Sequence, residues 1–189
     1  MTSRVYMEYY ANGSLYRELY YEDDKVHRDN GPAIITYGLR GNVISELYLQ
    51  NDLYHRDNDL PALERYNDSG NKTCEEWYIS GKLHRNVGPA AIWYRSGGTV
   101  SYTIHAQDSK NHRIDGPAII YYGTDGITVT KTEYHVNGKL MSRSKFLKKY
   151  DPAQYEKYCL DKVYHIAGKK YKIELIRSDY VSLRRIANA

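Results

Sequence analysis

The heptad His27-Arg28-Asp29-Asn30-Gly31-Pro32-Ala33 determines the architecture of this chain, because the chain repeats it three more times. The further copies, one of them a residue longer, are His55-Arg56-Asp57-Asn58-Asp59-Leu60-Pro61-Ala62, His84-Arg85-Asn86-Val87-Gly88-Pro89-Ala90 and His112-Arg113-Ile114-Asp115-Gly116-Pro117-Ala118. The histidines step by 28, 29 and 28 residues. A fixed period of this size indicates one supersecondary unit copied along the chain. Such arrays build extended surfaces more often than single catalytic pockets.

Each heptad introduces the pattern of a β-hairpin. Proline opens a strand where its missing N–H does least harm. The β-branched and aromatic runs that follow suit a half-buried strand; they are residues 33–37, 90–94 and 118–122. Glycine-containing turns then lead to second strands at 46–49, 76–79 and 133–136. Two such runs joined by a turn predict a hairpin.

The array is expected to hold about five units over residues 1–141. The N-terminus fits the template from its middle, with Tyr9-Tyr10, Asn12-Gly13 and Glu18-Leu19-Tyr20-Tyr21 as strand, turn and strand. The last unit ends at Met141-Ser142, where His-Arg would stand. We therefore predict a mainly β fold: an extended antiparallel sheet of tandem hairpins, with a period of about 28 residues, and a small α/β cap at 142–189.

Alternation along the first strand separates two faces of the sheet. One column barely changes between copies and is expected to face inward; it holds Ala33, Ala62, Ala90 and Ala118, and also Tyr37, Tyr66, Tyr94 and Tyr122. The opposite column varies, so we expect it to face outward and to carry individual specificity; it holds Thr36, Arg65, Trp93 and Tyr121.

Composition favours architecture over a nucleic-acid platform. The chain has 22 tyrosines and one phenylalanine. A tyrosine has an apolar body and a polar tip, which suits a thin sheet, whereas surfaces that stack bases usually add basic charge. Residues 1–141 carry 15 Lys and Arg against 18 Asp and Glu, but 142–189 carry 12 against 5. Any attraction to phosphate therefore lies mainly in 142–189.

The C-terminal block has helical signals. Residues 142–150 predict a short helix, and Asp151-Pro152 predicts the cap and first residue of a second helix. Residues 163–166 and 171–176 predict a hairpin. Ser178-Asp179 is expected to cap a final helix through Ile186. This basic block is expected to cover the end of the sheet, because an uncovered edge pairs with other chains.

No residue pattern predicts a catalytic or metal site. His-Arg-Asp resembles the catalytic loop of protein kinases, but the Asn, the glycine-rich loop and the Asp-Phe-Gly segment that the loop requires are missing from the sequence. Cys74 and Cys159 have no Cys or His neighbour at metal-ligand spacing. The four heptad histidines are interpreted as hydrogen-bonded structural residues, not as a metal ladder. We expect no catalytic residues, no metal, no cofactor and no small-molecule substrate.

The four heptad arginines would repel one another unless they are paired. The favoured partners are the glutamates of the second strands, Glu18, Glu46, Glu76 and Glu133, together with turn carbonyls. A line of arginines that grips an anionic polymer or acidic partner is the alternative. The fourth unit has no such glutamate near Ser101, so Arg85 and Arg113 are expected to be less well paired. The candidate interaction surface is Arg65, Trp93, Tyr121, Arg85 and Arg113. The structural repeat motif is His27, Arg28, Gly31, Pro32, His55, Arg56, Pro61, His84, Arg85, Gly88, Pro89, His112, Arg113, Gly116 and Pro117.

The pattern His-Arg-x-x-Gly-Pro-Ala, with Glu-x-Tyr-Tyr and Asn-Gly-Lys-Leu, resembles the MORN-like hairpin repeats of large DNA viruses of amoebae and of some bacteriophages. The resemblance covers about residues 5–141. It implies a viral protein that acts by interaction, because the related MORN repeats are regarded as scaffolds and membrane-associated adaptors. The copy with Asp59-Leu60 departs from the pattern, and its extra residue predicts a bulge.

The expected function is that of a non-enzymatic viral repeat protein, a structural or protein–protein interaction element whose partners include other virion proteins. One alternative is a binder of nucleic acid or membrane phosphate through 142–189, which is not favoured. Another is an inhibitor of a host defence protein. The sequence shows no signal peptide and no long apolar run, so we expect the host cytoplasm or the virion and not secretion by a signal peptide.

Overall fold

The computed structural model describes residues 2–160, 163–166, 169–176 and 181–186, with side chains described for 2–155, 157 and 158. The chain divides into two compact units, Met1–Leu140 and Met141–Ala189. This division lies one residue from the boundary expected between array and C-terminal block.

The first unit consists of five repeats. Repeat 1 holds β1 (Ser3–Tyr9), β2 (Leu15–Glu22) and β3 (Lys25–Val26). Repeat 2 holds β4 (Ile34–Tyr37), β5 (Val43–Leu47), β6 (Leu49–Gln50) and β7 (Leu53–Tyr54). Repeat 3 holds β8 (Leu63–Tyr66), β9 (Lys72–Glu76), β10 (Tyr78–Ile79) and β11 (Lys82–Leu83). Repeat 4 holds β12 (Ala91–Tyr94), β13 (Val100–Ile104), β14 (Ala106–Gln107) and β15 (Lys110–Asn111). Repeat 5 holds β16 (Ile119–Tyr122), β17 (Val129–Val136) and β18 (Lys139–Met141).

The long hairpins form one 12-stranded sheet, which confirms the predicted mainly β fold with an extended antiparallel sheet. The strand order is β1-β2-β4-β5-β8-β9-β12-β13-β16-β17-β18, with β3 paired beside β2. Each repeat therefore joins the next through its second strand. The register shifts at the end of every first strand, between Thr36 and Tyr37 in repeat 2 for example. Such bulges increase local twist and recur here with the period of the sequence.

Repeats 2 to 4 also contain a small second hairpin. The sequence pattern predicts a turn that closes each repeat, clearest at Ser80-Gly81-Lys82, but not a separate hairpin around it. The second strand was expected to continue through 46–49 and 76–79, but β5 ends at Leu47 and the chain resumes as β6 at Leu49. The pairs β6–β7, β10–β11 and β14–β15 each form a separate two-stranded sheet. Their turns use left-handed residues such as Asn51 (φ 51°) and Asp52 (φ 68°), which asparagine and aspartate tolerate.

Burial follows the alternation only in part. The alanines of the invariant column, Ala33, Ala62, Ala90 and Ala118, are fully buried, as an inner face requires. The opposite face also contains buried residues: Leu63, Ala91 and Ile119 share it with Arg65, Trp93 and Tyr121. The expected division into one inner and one outer face is therefore too simple. Both faces bury the first residues after the heptads, whereas the aromatic residues nearer the long-hairpin turns, such as Tyr66, Trp93 and Tyr121, are partly exposed.

The extra residue of the third repeat lies in a loop and not in the sheet. Asn58 and Asp59 both adopt left-handed backbone conformations, with φ of 61° and 54°. The Asp59 carbonyl accepts a hydrogen bond from the Trp77 indole at 2.9 Å. The predicted bulge is thus a loop insertion, which brings an additional carboxylate next to the following repeat.

The second unit is described by itself. Ser142 caps α1 (Arg143–Tyr150), and its hydroxyl accepts a hydrogen bond from the Lys145 N–H. Helix α2 (Pro152–Leu160) begins at the predicted proline. A three-stranded sheet follows, formed by β19 (Val163–Ile166), β20 (Lys169–Ile176) and β21 (Val181–Ile186). The predicted final helix is wrong for 181–186, because these residues pair along β20 as a strand and so satisfy their backbone groups there. Its predicted cap, Ser178-Asp179, lies outside the described residues.

Candidate functional site

Three of the four heptad arginines lie over aromatic rings. The guanidinium carbons of Arg28, Arg56 and Arg85 lie 3.8, 3.6 and 4.0 Å from the ring centroids of Tyr20, Tyr48 and Trp77, respectively. We call Tyr20, Tyr48, Trp77, His105 and Tyr134 the aromatic column; these residues recur every 28 or 29 positions. A guanidinium stacked on a ring face gains cation–π attraction and buries its stem. The ring that recurs eight residues before each arginine is a signal in the sequence from which this stacking could have been predicted.

Three of the guanidinium groups share a contact to a backbone carbonyl, but the carboxylate partners differ between repeats. Nη1 of Arg28, Arg56 and Arg85 donates to the heptad proline carbonyl at 3.2, 3.0 and 3.3 Å. The carboxylate partners are Glu64 for Arg56, Asp59 for Arg85 and Asp115 for Arg113. Contacts to turn carbonyls were predicted, but these three carboxylates were not. The described contacts do not pair the heptad arginines with Glu18, Glu46, Glu76 or Glu133. Cross-strand pairing places Glu76 and Glu133 on the opposite face of the sheet, away from the heptad arginines. Glu46 lies on the alanine face, aligned with Glu64 and Glu75.

The glutamates of the alanine face bind tyrosines instead. The Tyr37 hydroxyl donates to Glu18 at 3.0 Å, the Tyr66 hydroxyl donates to Glu46 at 3.0 Å, and Tyr94 donates to Glu75. Burial, followed by the hydrogen bond to Glu18, raises the pKa of Tyr37 to about 12. Each bond joins one repeat to the preceding one. In repeat 5 the tyrosine is Tyr122, and Thr103 occupies the aligned glutamate position.

The heptad histidines join neighbouring repeats. Nδ1 of His27, His55, His84 and His112 accepts a hydrogen bond from a backbone N–H in the next hairpin turn, at Asn51, Ser80, Asp108 and Asn137 respectively, over 3.0–3.2 Å. An accepting Nδ1 places the ring proton on Nε2. In three copies Nε2 lies 2.9–3.1 Å from the side-chain oxygen two residues later, which belongs to Asp29, Asp57 or Asn86. In the fourth copy that position is Ile114, which cannot accept it.

One histidine has two nearby carboxylates. Nε2 of His27 lies 3.5 Å from a Glu22 oxygen and 2.9 Å from an Asp29 oxygen. These three groups are close enough to bind one metal ion. The hydrogen bonds of the heptad already explain the positions of His27 and Asp29, since His55 and Asp57 repeat them. The expectation of no metal stays a prediction.

An aromatic row crosses the opposite face of the sheet. Cross-strand pairing aligns Arg65, Cys74, Trp93, Tyr102, Tyr121 and Lys131, which we call the outer row. The rings of Trp93 and Tyr102 stack with centroids 5.8 Å apart, and those of Tyr102 and Tyr121 lie 5.7 Å apart. Nζ of Lys131 lies 4.9 Å from the Tyr121 centroid. The result is a continuous strip of partly exposed rings with a cation at each end.

The structure separates the five predicted surface residues into two groups. Arg65, Trp93 and Tyr121 share the outer row, and Arg65 is exposed. Arg85 and Arg113 belong to the alanine face and are held by Asp59 and Asp115, so the expectation that these two arginines are less well paired is wrong. Tyr102 and Lys131 were not predicted to belong to this surface. They lie on second strands, whereas the predicted outward column contains only residues of first strands.

Clefts open between successive heptads on the alanine face. The volume of these three clefts decreases as the aromatic side chain between the heptads becomes larger: it is about 610 Å³ at His105, 310 Å³ at Tyr48 and 190 Å³ at Trp77. The largest cleft is also lined by Arg85, His112 and Arg113. Burial, aided by the charge of Arg113, lowers the pKa of His105 to about 4, and its buried Nδ1 has no hydrogen-bond partner among the residues that the structure describes. The small ring in repeat 4 therefore leaves space that larger rings fill elsewhere.

Comparison of the chain with protein-family models, with curated protein sequences and with solved structures gave no match. Within the described residues, no helix is long and apolar enough to span a bilayer.

Proposed function

We propose that this chain is a non-enzymatic repeat protein that binds another protein through the outer row. The observation that carries the proposal is the uninterrupted strip Trp93–Tyr102–Tyr121 on one face of an extended sheet. Tryptophan, tyrosine and arginine are the residues that most often dominate binding energy at protein interfaces. Neighbouring rings support one another in fixed positions, which reduces the conformational entropy that a partner must remove on binding.

Charge supports a protein partner over a nucleic acid. The outer row contains two cations, and Nζ of Lys131 already pairs with Glu133 at 2.6 Å. Ring spacing also argues against a nucleic acid. A base that stacks between two rings needs a separation of about 7 Å between those rings, twice the stacking distance in DNA. The centroids of neighbouring rings in the outer row are only 5.7–5.8 Å apart. Binding of nucleic acid or membrane phosphate through 142–189 is the less favoured candidate.

The viral context is part of the proposal and rests on the resemblance of the heptads to MORN-like repeats. It places the protein in the host cytoplasm or in the virion, as a structural element or as an inhibitor of a host defence protein. Proteomics of purified particles separates the first role from the second. Detection of the chain at fixed stoichiometry in particles supports the structural role.

Affinity purification from producing cells tests the outer row. We expect Trp93→Ala and Tyr121→Ala each to weaken partner retention by about 2 kcal/mol, roughly 30-fold in Kd. Ile127→Ala is the matched control, because Ile127 is 80% exposed and lies outside the row. Melting curves verify that each variant is folded. Equal retention by all three variants contradicts the proposal.

A salt titration addresses the alternative. Binding to phosphate weakens steeply between low and physiological salt, because each neutralised phosphate releases counterions. Binding through the aromatic row should change little over the same range. Steep salt dependence that survives Trp93→Ala supports the basic C-terminal block as the binding site.

A further inference from the structure

The first strand of the sheet has an open edge. Within the described residues, β1 pairs only with β2, and six of its seven residues are exposed. Its large side chains include Val5, Tyr6, Met7 and Tyr9, which are 46%, 59%, 47% and 59% exposed. An edge strand of this length, with unpaired backbone groups and apolar side chains, is a template for another strand.

The hydrogen bonds of β2 determine which backbone groups of β1 are free. The Tyr20 N–H donates to the Ala33 carbonyl of the next repeat at 2.8 Å, so the Tyr20 backbone faces away from β1. Alternation then turns the Leu19 backbone towards β1, where Tyr6 lies opposite. The backbone groups of Arg4, Tyr6 and Glu8 are thus used by β2, whereas those of Ser3, Val5 and Met7 point outward.

We propose that this edge binds a second copy of the chain, with the two β1 strands antiparallel about a two-fold axis at Tyr6. In this register Val5 faces the second copy's Met7 in hydrogen-bonded pairs. Arg4 faces the second copy's Glu8 in non-hydrogen-bonded pairs, where side chains approach most closely. By symmetry the Arg–Glu pair forms twice. The register uses all seven residues of β1, whereas a shift of two residues leaves Glu8 without a basic partner.

Existing ion pairs extend across the proposed interface. Arg4 already contacts Asp24 at 2.8 Å, and Glu8 accepts from Arg17 at 2.8 Å. Pairing adds the contact between Arg4 and the second copy's Glu8, so four charges of alternating sign follow one another along each side. The apolar residues Val5 and Met7 become covered at the centre. The two 12-stranded sheets join into one continuous sheet, in which no described strand retains the exposed apolar edge of β1.

The interface is separate from the outer row, and charge reversal tests it without reference to any other partner. Sedimentation velocity of the wild-type chain at tens of micromolar should show a dimer. Arg4→Glu and Glu8→Arg should each be monomeric, because like charges then face each other. An equimolar mixture of the two variants should regain the dimer, since each introduced charge meets its opposite on the other chain. A monomeric wild type, or single variants that remain dimeric, would falsify the proposal.

Disulfide trapping tests the register. Tyr6→Cys places two thiols in directly opposed, non-hydrogen-bonded positions, which suit a disulfide. Under mild oxidation this variant should form a covalent dimer that a reductant reverses. Val5→Cys is the matched control, because Val5 faces Met7 and not its own copy. The wild type controls for Cys74 and Cys159. Equal cross-linking of both variants, or of neither, overturns the register.

Discussion

At the residue scale, glycine in the heptad does two things. Gly88 has φ of +93°, a left-handed conformation that side chains disfavour. A Cβ at Gly88 would also lie 3.5 Å from the Arg85 guanidinium. This distance is an ordinary van der Waals contact, so the positive φ is the main requirement for glycine here, and only the γ-methyl groups of a larger side chain would crowd the Arg85 guanidinium.

We expect Gly88→Val to lower the free energy of unfolding by about 1–3 kcal/mol, as thermal melting measures. Gly98→Val is the matched control, because Gly98 has φ of +83° with nothing within 4 Å of an added Cβ. Gly98→Val imposes only the cost of a positive φ on a β-branched residue, so it should lower the free energy of unfolding by less than Gly88→Val. Equal losses would show that the guanidinium contact imposes no requirement.

The tyrosine–glutamate bonds give a second prediction at this scale. Tyr66→Phe leaves the Glu46 carboxylate without its described partner, so we expect a loss of about 1–3 kcal/mol in urea unfolding. Tyr122→Phe is the control, because the aligned position there is Thr103 and not a glutamate. The Tyr122 variant should stay within about 0.5 kcal/mol of wild type. If both variants lose the same stability, the bond to Glu46 contributes nothing beyond ring packing.

At the scale of the element, repeat 4 departs from its neighbours around one cleft. His105 replaces the tyrosine or tryptophan of the aromatic column, and Ile114 replaces the residue that accepts from the heptad histidine. The folded-state pKa of His105 lies near 4, below the ordinary value of 6.5. Its contribution to stability is therefore complete above pH 6.5 and is lost as pH falls towards 4, because only the unfolded chain takes up the proton.

We expect His105→Tyr to remove this part of the pH dependence. The wild type should lose about 1–3 kcal/mol more than the variant between pH 6.5 and pH 4. At pH 7 the variant should be at least as stable, since the ring fills space that Tyr48 fills in repeat 2. Parallel melting curves of the two proteins across this pH range would contradict the assignment to His105.

At the scale of the whole molecule, the C-terminal block was expected to cover the end of the array. We predict that a chain of residues 1–141 aggregates or self-associates, because an uncovered sheet edge and apolar patch seek partners. Light scattering measures this. The Arg4→Glu background is the control, because it removes association through β1. A well-behaved monomer in that background shows that 142–189 is an independent arm.

The repeat itself could be predicted from the residues alone. A period of 28–29 residues, with turn residues and β-branched runs at fixed places, leaves tandem antiparallel hairpins as the arrangement that pairs every backbone group locally. The helix caps were also predictable from the sequence, because Ser142 and Asp151 accept hydrogen bonds from backbone N–H groups only three residues later. The strand at 181–186 was not predictable, because only pairing with β20 distinguishes strand from helix there.

Which side chains meet depends on how the repeats pair in three dimensions. Side chains alternate with a period of two, so an error of one position moves a residue to the other face, as happened when Glu46 was grouped with Glu76 and not with Glu75. The outer row joins residues of six strands, and no single-repeat pattern shows that Tyr102 lies between Trp93 and Tyr121. The stacking of arginine on the aromatic column likewise depends on the chain folding back over itself, although its eight-residue spacing was present in the sequence throughout.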